Sequence, residues 1–438
     1  MTRSRLIVPA SAIATVALGA LALSGCAPAA DTVPTSVAAA TDLKSCDAED
    51  TTLTVTFGQQ ATEAMDIAVA ALEKEYPGLT IEAQAQATTS YDDLTKTIVA
   101  DIAVGKRPDL IMSGLGQLRF WVDEYDPAPI DPAALSDTYQ SQFLDAGTVD
   151  GTPYLAPAQI SAPVLLVNQD LLDAAGAGDA ADIETYDDWI AAAEKVSEKT
   201  GSPSVTIATT GLADWYSQAF IQGAGGQLIG DDGSAAFGDE TGVAALGIWS
   251  ELKERDLELG IVNDQDSFAQ FAGGNAAFMV YTTSVIASAQ GTIGDTFDWT
   301  PIDLPTANGQ EGALPAGGNG WIVLSDDGCR AAYANALVGE LLSTEAVLGA
   351  SGTSYSYIPV DSAAAEELLA SDAATPQLTY AWSYDAPLSP WGGFAGQVTA
   401  QVNDSFRTLT QQLQAGAPTE PTVQTAVTAI DALVEQAR

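Results

Sequence analysis

The 438-residue chain carries 58 acidic residues against 15 basic ones and no histidine, a formal net charge of −43. A field of that sign repels nucleic acid and anionic headgroups, and it disfavours an anionic ligand because no basic cluster offsets it. The lack of histidine removes Ser-His-Asp and Cys-His catalysis and histidine-ligated metal sites, so no cofactor and no metal are expected.

Arg3 and Arg5 precede an apolar run from Leu6 to Leu23, which ends at Ser24, Gly25 and Cys26. Residues 1–25 have the layout of a secretory signal. An uncleaved membrane anchor is the competing reading, but it gives no reason for small residues and a cysteine at the outer end of the run. Leu23-Ser24-Gly25-Cys26 resembles the bacterial lipobox, in which the cysteine thiol receives diacylglycerol and the freed amine is acylated, commonly with palmitate. Several acyl chains hold firmly, since each buried methylene contributes about 0.8 kcal/mol. Residues 26–45 are rich in Ala, Thr, Pro and Ser and read as a flexible tether. Cys46 and Cys329 then remain as one pair able to bridge in an oxidising compartment.

The chain from Cys46 onward is too long for one compact core and calls for two lobes. Leu53–Phe57 reads as a strand, and the helical spacing of Ala64, Ile67, Ala68, Ala71 and Leu72 predicts a helix stopped by Pro77-Gly78. Alternation from Leu79 to Ala85 predicts a strand with one buried face. Ser90 and Asp93 signal a helix start, with Tyr91, Leu94, Ile98 and Ile102 as its apolar stripe. Asp109–Met112 is a third strand. Strand, helix, strand, helix, strand is the grammar of a parallel α/β sheet. Further strands are expected at 163–167, 205–208, 277–281 and 320–324, with helices at 186–199, 243–254 and 330–342 and two closing helices after Phe394.

Several segments, taken in order, resemble the family 1 extracellular solute-binding proteins, the maltose-binding-like group of ABC importers. They are Ala70 to Gly78, Gly105 to Ile111, Asp150 to Tyr154, Leu166 to Leu172, Gly223 to Gly226, Ala276 to Met279, Ile302 to Pro305 and Gly317 to Trp321. Each is weak alone, but together they span nearly the whole mature chain. The resemblance implies a two-lobed, periplasmic-binding-protein-like α/β fold with three hinge crossings and a ligand cleft between lobes. The crossings would fall near 156–161, 315–321 and 357–359. Lobe 1 would then hold residues 46–156 plus 318–358, and lobe 2 residues 157–317 plus 359–438. Cys46 and Cys329 fall in the same lobe on that division, which favours a disulfide over free or metal-bound thiols.

The implied function is a lipid-anchored substrate-binding subunit on the extracytoplasmic face, a monomer. It would capture a sugar or oligosaccharide for two permease subunits and a cytoplasmic ATPase. Alternatives are binding of another small polar solute, such as a polyol or polyamine, and a ligand-presenting sensor component. Sugars are held by aromatic stacking with amides, carboxylates and hydroxyls around the ring. The loops after the strands supply candidates: Gln59 and Gln60 after the first, and Ser113 and Gln117 around the glycines after the third. Matching positions of the family add Ser161, Asp214, Trp215, Thr282 and Asn319, and Trp391 is chosen from the aromatic cluster before the closing helices. Trp215 could instead be a core aromatic, and Ser161 stands where some relatives carry a carboxylate, which argues against a simple maltose site. Trp382 and Tyr384 lie near Trp391 in sequence as alternative stacking rings. A phosphate cradle at Gly114 and Gly116 lacks the Lys-Ser/Thr pair. Asp231-Asp232-Gly233 reads as a surface turn rather than a calcium loop. No two carboxylates stand out as a glycosidase pair, so no enzyme activity is expected.

Overall fold

The structure, a computed structural model, describes residues 37–310 and 312–438. The signal and the lipidated Cys26 lie outside the described residues. Two sheets organise the chain. The first has six strands in the spatial order Ile358–Pro359, Ala156–Ser161, Gly317–Val323, Leu110–Gly114, Thr52–Gly58 and Thr80–Gln86. Thr52–Gly58 runs parallel to both of its neighbours, whereas Gly317–Val323 is antiparallel to both of its own. The second sheet orders Trp299–Asp303, Pro163–Asn168, Phe278–Thr282 and Val205–Thr206.

Ala162 alone separates the strand Ala156–Ser161 of the first sheet from Pro163–Asn168 of the second. A second passage runs from Leu314–Pro315 through Ala316 into Gly317–Val323, and the chain leaves the first sheet again after Pro359. Both strands that border the first passage are buried along their whole length. Pro163–Asn168 reads in sequence as a near-continuous apolar run for that reason, whereas Ala156–Ser161 buries Gln159 and Ser161 as well.

The expected helices form with small changes at their ends. Thr62–Glu75, Tyr91–Ala103, Tyr186–Thr200, Glu240–Glu254 and Gly328–Leu341 are all present, and Ser90 caps the second by accepting from the Asp93 N–H. The buried face expected for the strand after Leu79 is not there. Ile81 is half-buried and Ala83 and Ala85 are exposed. This is an edge strand, and two alanines offer too little apolar surface to keep a covering helix over that end of the sheet.

Two buried carboxylates tie the elements together in different ways. Asp109, 2% exposed, accepts from the Thr54 N–H and hydroxyl, from Ser325 Oγ at 2.6 Å and from Arg330 Nε at 2.8 Å. It joins two strands of the first sheet to the helix Gly328–Leu341, with its charge balanced. Glu258 accepts from the backbone N–H of Ile207 and Gly260 and from Gln414 Nε2, but no cation touches it among the described residues. Burial therefore pushes its carboxyl up to about 7.

Cys46 and Cys329 are joined by a disulfide across a sequence separation of 283. Beside it, the Ala38 N–H donates to the Ser325 carbonyl and the Thr41 N–H to the Gly328 carbonyl, so the segment before the first strand lies along the start of that helix. Closing so long a loop restricts the unfolded chain by about 5 kcal/mol in the chain-entropy model. The double variant Cys46→Ser/Cys329→Ser is expected to unfold at lower guanidinium concentration, with a loss of up to about 5 kcal/mol. An unchanged midpoint would show that the bond restrains only the segment ahead of Thr52.

Candidate functional site: a cleft closed by aromatic rings

The site is built where three elements converge. Tyr91 and Asp92 open the helix Tyr91–Ala103 beside the first sheet. Asp214, Trp215, Tyr216 and Gln218 lie on the helix Ala213–Gly223, and Trp391 sits in the loop Pro390–Gly393. The rings of Tyr91, Trp391 and Trp215 follow one another with centroids 6.5 and 5.9 Å apart, and Tyr216 continues the series at 5.8 Å from Trp215.

Glycines give the rings their room. A Cβ on Gly116 would lie 2.8 Å from the Trp391 ring, and one on Gly317 would lie 2.5 Å from Trp215 and 2.7 Å from Ser161 Oγ. A Cβ on Gly114 would overlap Tyr91. The two glycines after the third strand thus admit aromatic rings. Gln218, buried, fixes Trp391 from both sides: its Nε2 donates to the Pro390 carbonyl at 2.8 Å, and its Oε1 accepts from the Gly392 N–H at 2.9 Å. Next to the tryptophan is a cavity of about 160 Å³, lined by Leu115, Arg119, Thr148, Asp150 and Pro390 among others. A wider hollow of about 520 Å³ opens beside the disulfide, between Lys44–Ala48, Glu75–Pro77 and Tyr333, and shares no residue with the cleft.

A polar network runs through the same place. Asn319 Nδ2 donates to Gln159 Oε1 at 2.8 Å and to Tyr91 Oη at 3.2 Å, and Gln159 Nε2 donates to the Gln60 carbonyl at 3.1 Å. Tyr357 and Gln60 lie next to the Tyr91 hydroxyl. Gln117 Nε2 donates to Asp92 Oδ1 at 2.7 Å, and Trp391 Nε1 donates to Asp214 Oδ2 at 2.8 Å. Burial pushes the Asp214 carboxyl up to about 6, against the opposing pull of Trp391 and of the first backbone N–H groups of its helix. The negative charge of Asp92 raises it further.

The candidate residues from sequence fall into two groups. Gln60, Gln117, Asp214, Trp215, Asn319 and Trp391 belong to this cluster. Ser161 borders it through Gly317. Ser113 is buried in its strand, where its hydroxyl donates to the Gly114 carbonyl. Thr282 lies at the end of its strand, with its hydroxyl 3.1 Å from Ser284 Oγ, next to the passage where Thr283 Oγ1 accepts from the Ala162 N–H. Gln59 is exposed, with its N–H on the Thr88 carbonyl, and stands apart. Trp382 donates to the Ser351 carbonyl in a separate apolar cluster, and Tyr384 packs on Tyr380, so neither joins Trp391. Asp231-Asp232-Gly233 is a turn, with Asp232 accepting from Ser234. Among the described residues, no group of three or more acidic or cysteine side chains could hold a metal ion. Tyr91, Asp92, Gln159, Gln218 and Tyr357 were not evident from sequence. Tyr91 reads as part of an apolar stripe, and the others carry no local signal.

The family model for bacterial extracellular solute-binding proteins matches residues 58–347, about two-thirds of the chain. The chain belongs to this family. An arabinooligosaccharide-binding protein of Halalkalibacterium halodurans is 28% identical over 203 residues, covering 44% of this chain and 41% of the relative, so the match spans under half of that protein. Among solved structures, the cyclic α-maltosyl-1,6-maltose binding protein from Arthrobacter globiformis superposes with a TM-score of 0.73 at 19% identity, over 88% of this chain and 99% of its own. A solute-binding protein from Thermotoga lettingae bound with α-D-tagatose gives 0.71 at 18%, covering 88% and 100%. UgpB from Mycobacterium tuberculosis in complex with glycerophosphocholine gives 0.73 at 16%, covering 87% and 98%. At these identities the likeness shows the two-lobed α/β fold.

Gly318 has φ +103°, and a Cβ there would strike the Gln159 carbonyl. Gly318→Ala is expected to lower stability by about 2 kcal/mol or more in urea unfolding. Asp214 retains its proton in the folded protein up to about pH 6, whereas an unfolded aspartate loses it near 3.8. Its contribution to stability is therefore greatest below about pH 4 and fades as pH rises through 6. Asp214→Asn keeps an acceptor for Trp391, and its Tm relative to the parent should be more favourable at pH 7.5 than at pH 4.5. The opposite trend would show that the carboxylate is favoured in the fold.

Proposed function

We propose that this chain is the substrate-binding subunit of an ABC importer, capturing a sugar or oligosaccharide between its lobes and delivering it to two permease subunits driven by a cytoplasmic ATPase. The observation that carries this is the run of rings Tyr91, Trp391 and Trp215, bordered by Gln60, Gln117, Asn319, Asp92 and Asp214, at the place where the two halves of a solute-binding fold meet. Stacked rings cover the apolar faces of a pyranose, and side-chain amides and carboxylates meet its hydroxyls.

The lobes of this proposal follow sheet membership. Lobe 1 is 46–161 with 317–359, and lobe 2 is 163–315 with the remainder, so the passages fall at Ala162, at Ala316 and beyond Pro359. Ligand drives closure only if it binds the closed arrangement more tightly than the open one. Contacts from both lobes to one ligand provide that difference. Attachment of Cys26 to lipid, on the outer face of the membrane, would keep a monomer close to its permease, and the protein carries no catalytic role in this scheme.

Purified mature protein titrated with mono- and oligosaccharides is expected to show a saturable change in tryptophan fluorescence and a raised Tm. Trp391→Ala should weaken the best ligand roughly tenfold, the loss of about 1.4 kcal/mol of stacking. Stabilisation by amino acids or polyamines, with none by any saccharide, would overturn the carbohydrate assignment.

A further inference from the structure

The cleft has an imbalance between donors and acceptors. Both indole N–H groups and both hydrogens of the Asn319 amide are committed to protein acceptors, and Gln117 and Gln159 each commit one amide hydrogen. Trp215 Nε1 donates to the Pro315 carbonyl at 3.0 Å, Trp391 Nε1 to Asp214, Gln117 Nε2 to Asp92, Gln159 Nε2 to the Gln60 carbonyl, and Asn319 Nδ2 to Gln159 and Tyr91. Two acceptors in this network are buried without a partner among the described residues, Gln60 Oε1 and Asn319 Oδ1. Gln60 is 6% exposed and Asn319 fully buried. The orientation of Asn319 is set by the network, because turning its amide over would aim Oδ1 at Gln159 Oε1. An unpaired buried carbonyl oxygen costs about 1–3 kcal/mol, so these atoms call for a donor.

Charge points the same way. Asp214 holds the Trp391 indole N–H and Asp92 holds the Gln117 amide, and the charge of Asp92 raises the Asp214 carboxyl. Arg119, which lines the cavity beside Trp391, is held by Asp123 at 2.8 Å and Asp150 at 3.5 Å. Among the described residues, no ion pair reaches Asp92 or Asp214. A neutral sugar brings acceptors as well as donors, and its acceptors would find both indole N–H groups and both Asn319 amide hydrogens already used. An ammonium brings donors only, neutralises a carboxylate and is attracted to the faces of Trp and Tyr.

We infer that the cleft selects an amine-bearing saccharide, with the ammonium received by Asp92 and Asp214 among the rings of Tyr91, Trp215 and Trp391. The inference rests on the carbohydrate reading above and narrows it to an amino sugar with an unacylated nitrogen.

Four probes test it on the full mature protein by calorimetry near pH 6.5: the free-amine glucosamine disaccharide, its N,N′-diacetyl form, maltose and spermidine. The free-amine disaccharide should bind at least tenfold more tightly than its acetylated form and lose affinity as salt is raised, since an ion pair is screened. Asp92→Asn retains an acceptor for Gln117. It should weaken the free-amine disaccharide at least tenfold more than it weakens maltose. Salt dependence of the parent protein gives a second readout should that variant fold poorly. Equal or tighter binding of maltose or of the acetylated disaccharide overturns the inference and leaves the carbohydrate reading standing. Spermidine binding with no saccharide binding, or binding of none of the four, overturns both.

Discussion

The cleft depends on a strand that has almost no side chains where the two halves of the molecule meet. Gly317, Gly318 and Gly320 each occupy a position where a Cβ would collide, respectively with Trp215, the Gln159 carbonyl and the Ala156 carbonyl. Only Asn319 projects among them, and it links Gln159 to Tyr91. This strand is central in the first sheet, between Leu110–Gly114 and Ala156–Ser161, and it begins two residues after the short strand Leu314–Pro315. Bare backbone lets a tryptophan from the other half pack flush against the sheet. Any larger residue would hold the halves apart and displace the ring.

The distribution of buried charge separates scaffold from site. Asp109 has a guanidinium and three hydrogen-bond donors, so its charge locks the first sheet to a helix. Asp214 and Glu258 have donors but, among the described residues, no ion pair, and both hold their protons to higher pH than free carboxylates. Glu258 satisfies backbone groups inside one lobe, where only stability is at stake. Asp214 instead accepts from the Trp391 indole N–H beside the rings of the cleft.

The two halves touch through contacts gathered around Trp391. Trp391 rests on Gly116 of one half while its indole N–H is held by Asp214 and its backbone by Gln218 of the other. Gly396, in the same segment, donates to Asp123 beside the first sheet. Chain passages a single residue long, at Ala162 and Ala316, leave few backbone dihedrals to absorb a rotation of the halves. Such geometry suits rigid-body closure rather than local rearrangement.

The sequence by itself determined the class of fold, the presence of two halves and much of the secondary structure, because apolar periodicity and the cap at Ser90 act locally. It also determined what chemistry is missing, since a chain without histidine cannot acquire one by folding. Trp215 and Asn319 were legible through likeness to family positions and Trp391 only as one of a cluster of aromatics, and nothing local marks them as neighbours. Only the tertiary structure decided that they meet, that Trp382 and Gln59 stay away, and that Tyr91 turns from an apparent stripe residue into a cleft ring. The exposure of Ala83 and Ala85 was equally undecidable, because alternation specifies a face but not whether another layer covers it. The directions in which Gln159, Gln218 and Asn319 spend their hydrogen bonds arise from contacts between residues about 100 to 174 positions apart. Those directions govern what the cleft can still accept or donate, and no sequence pattern carries them.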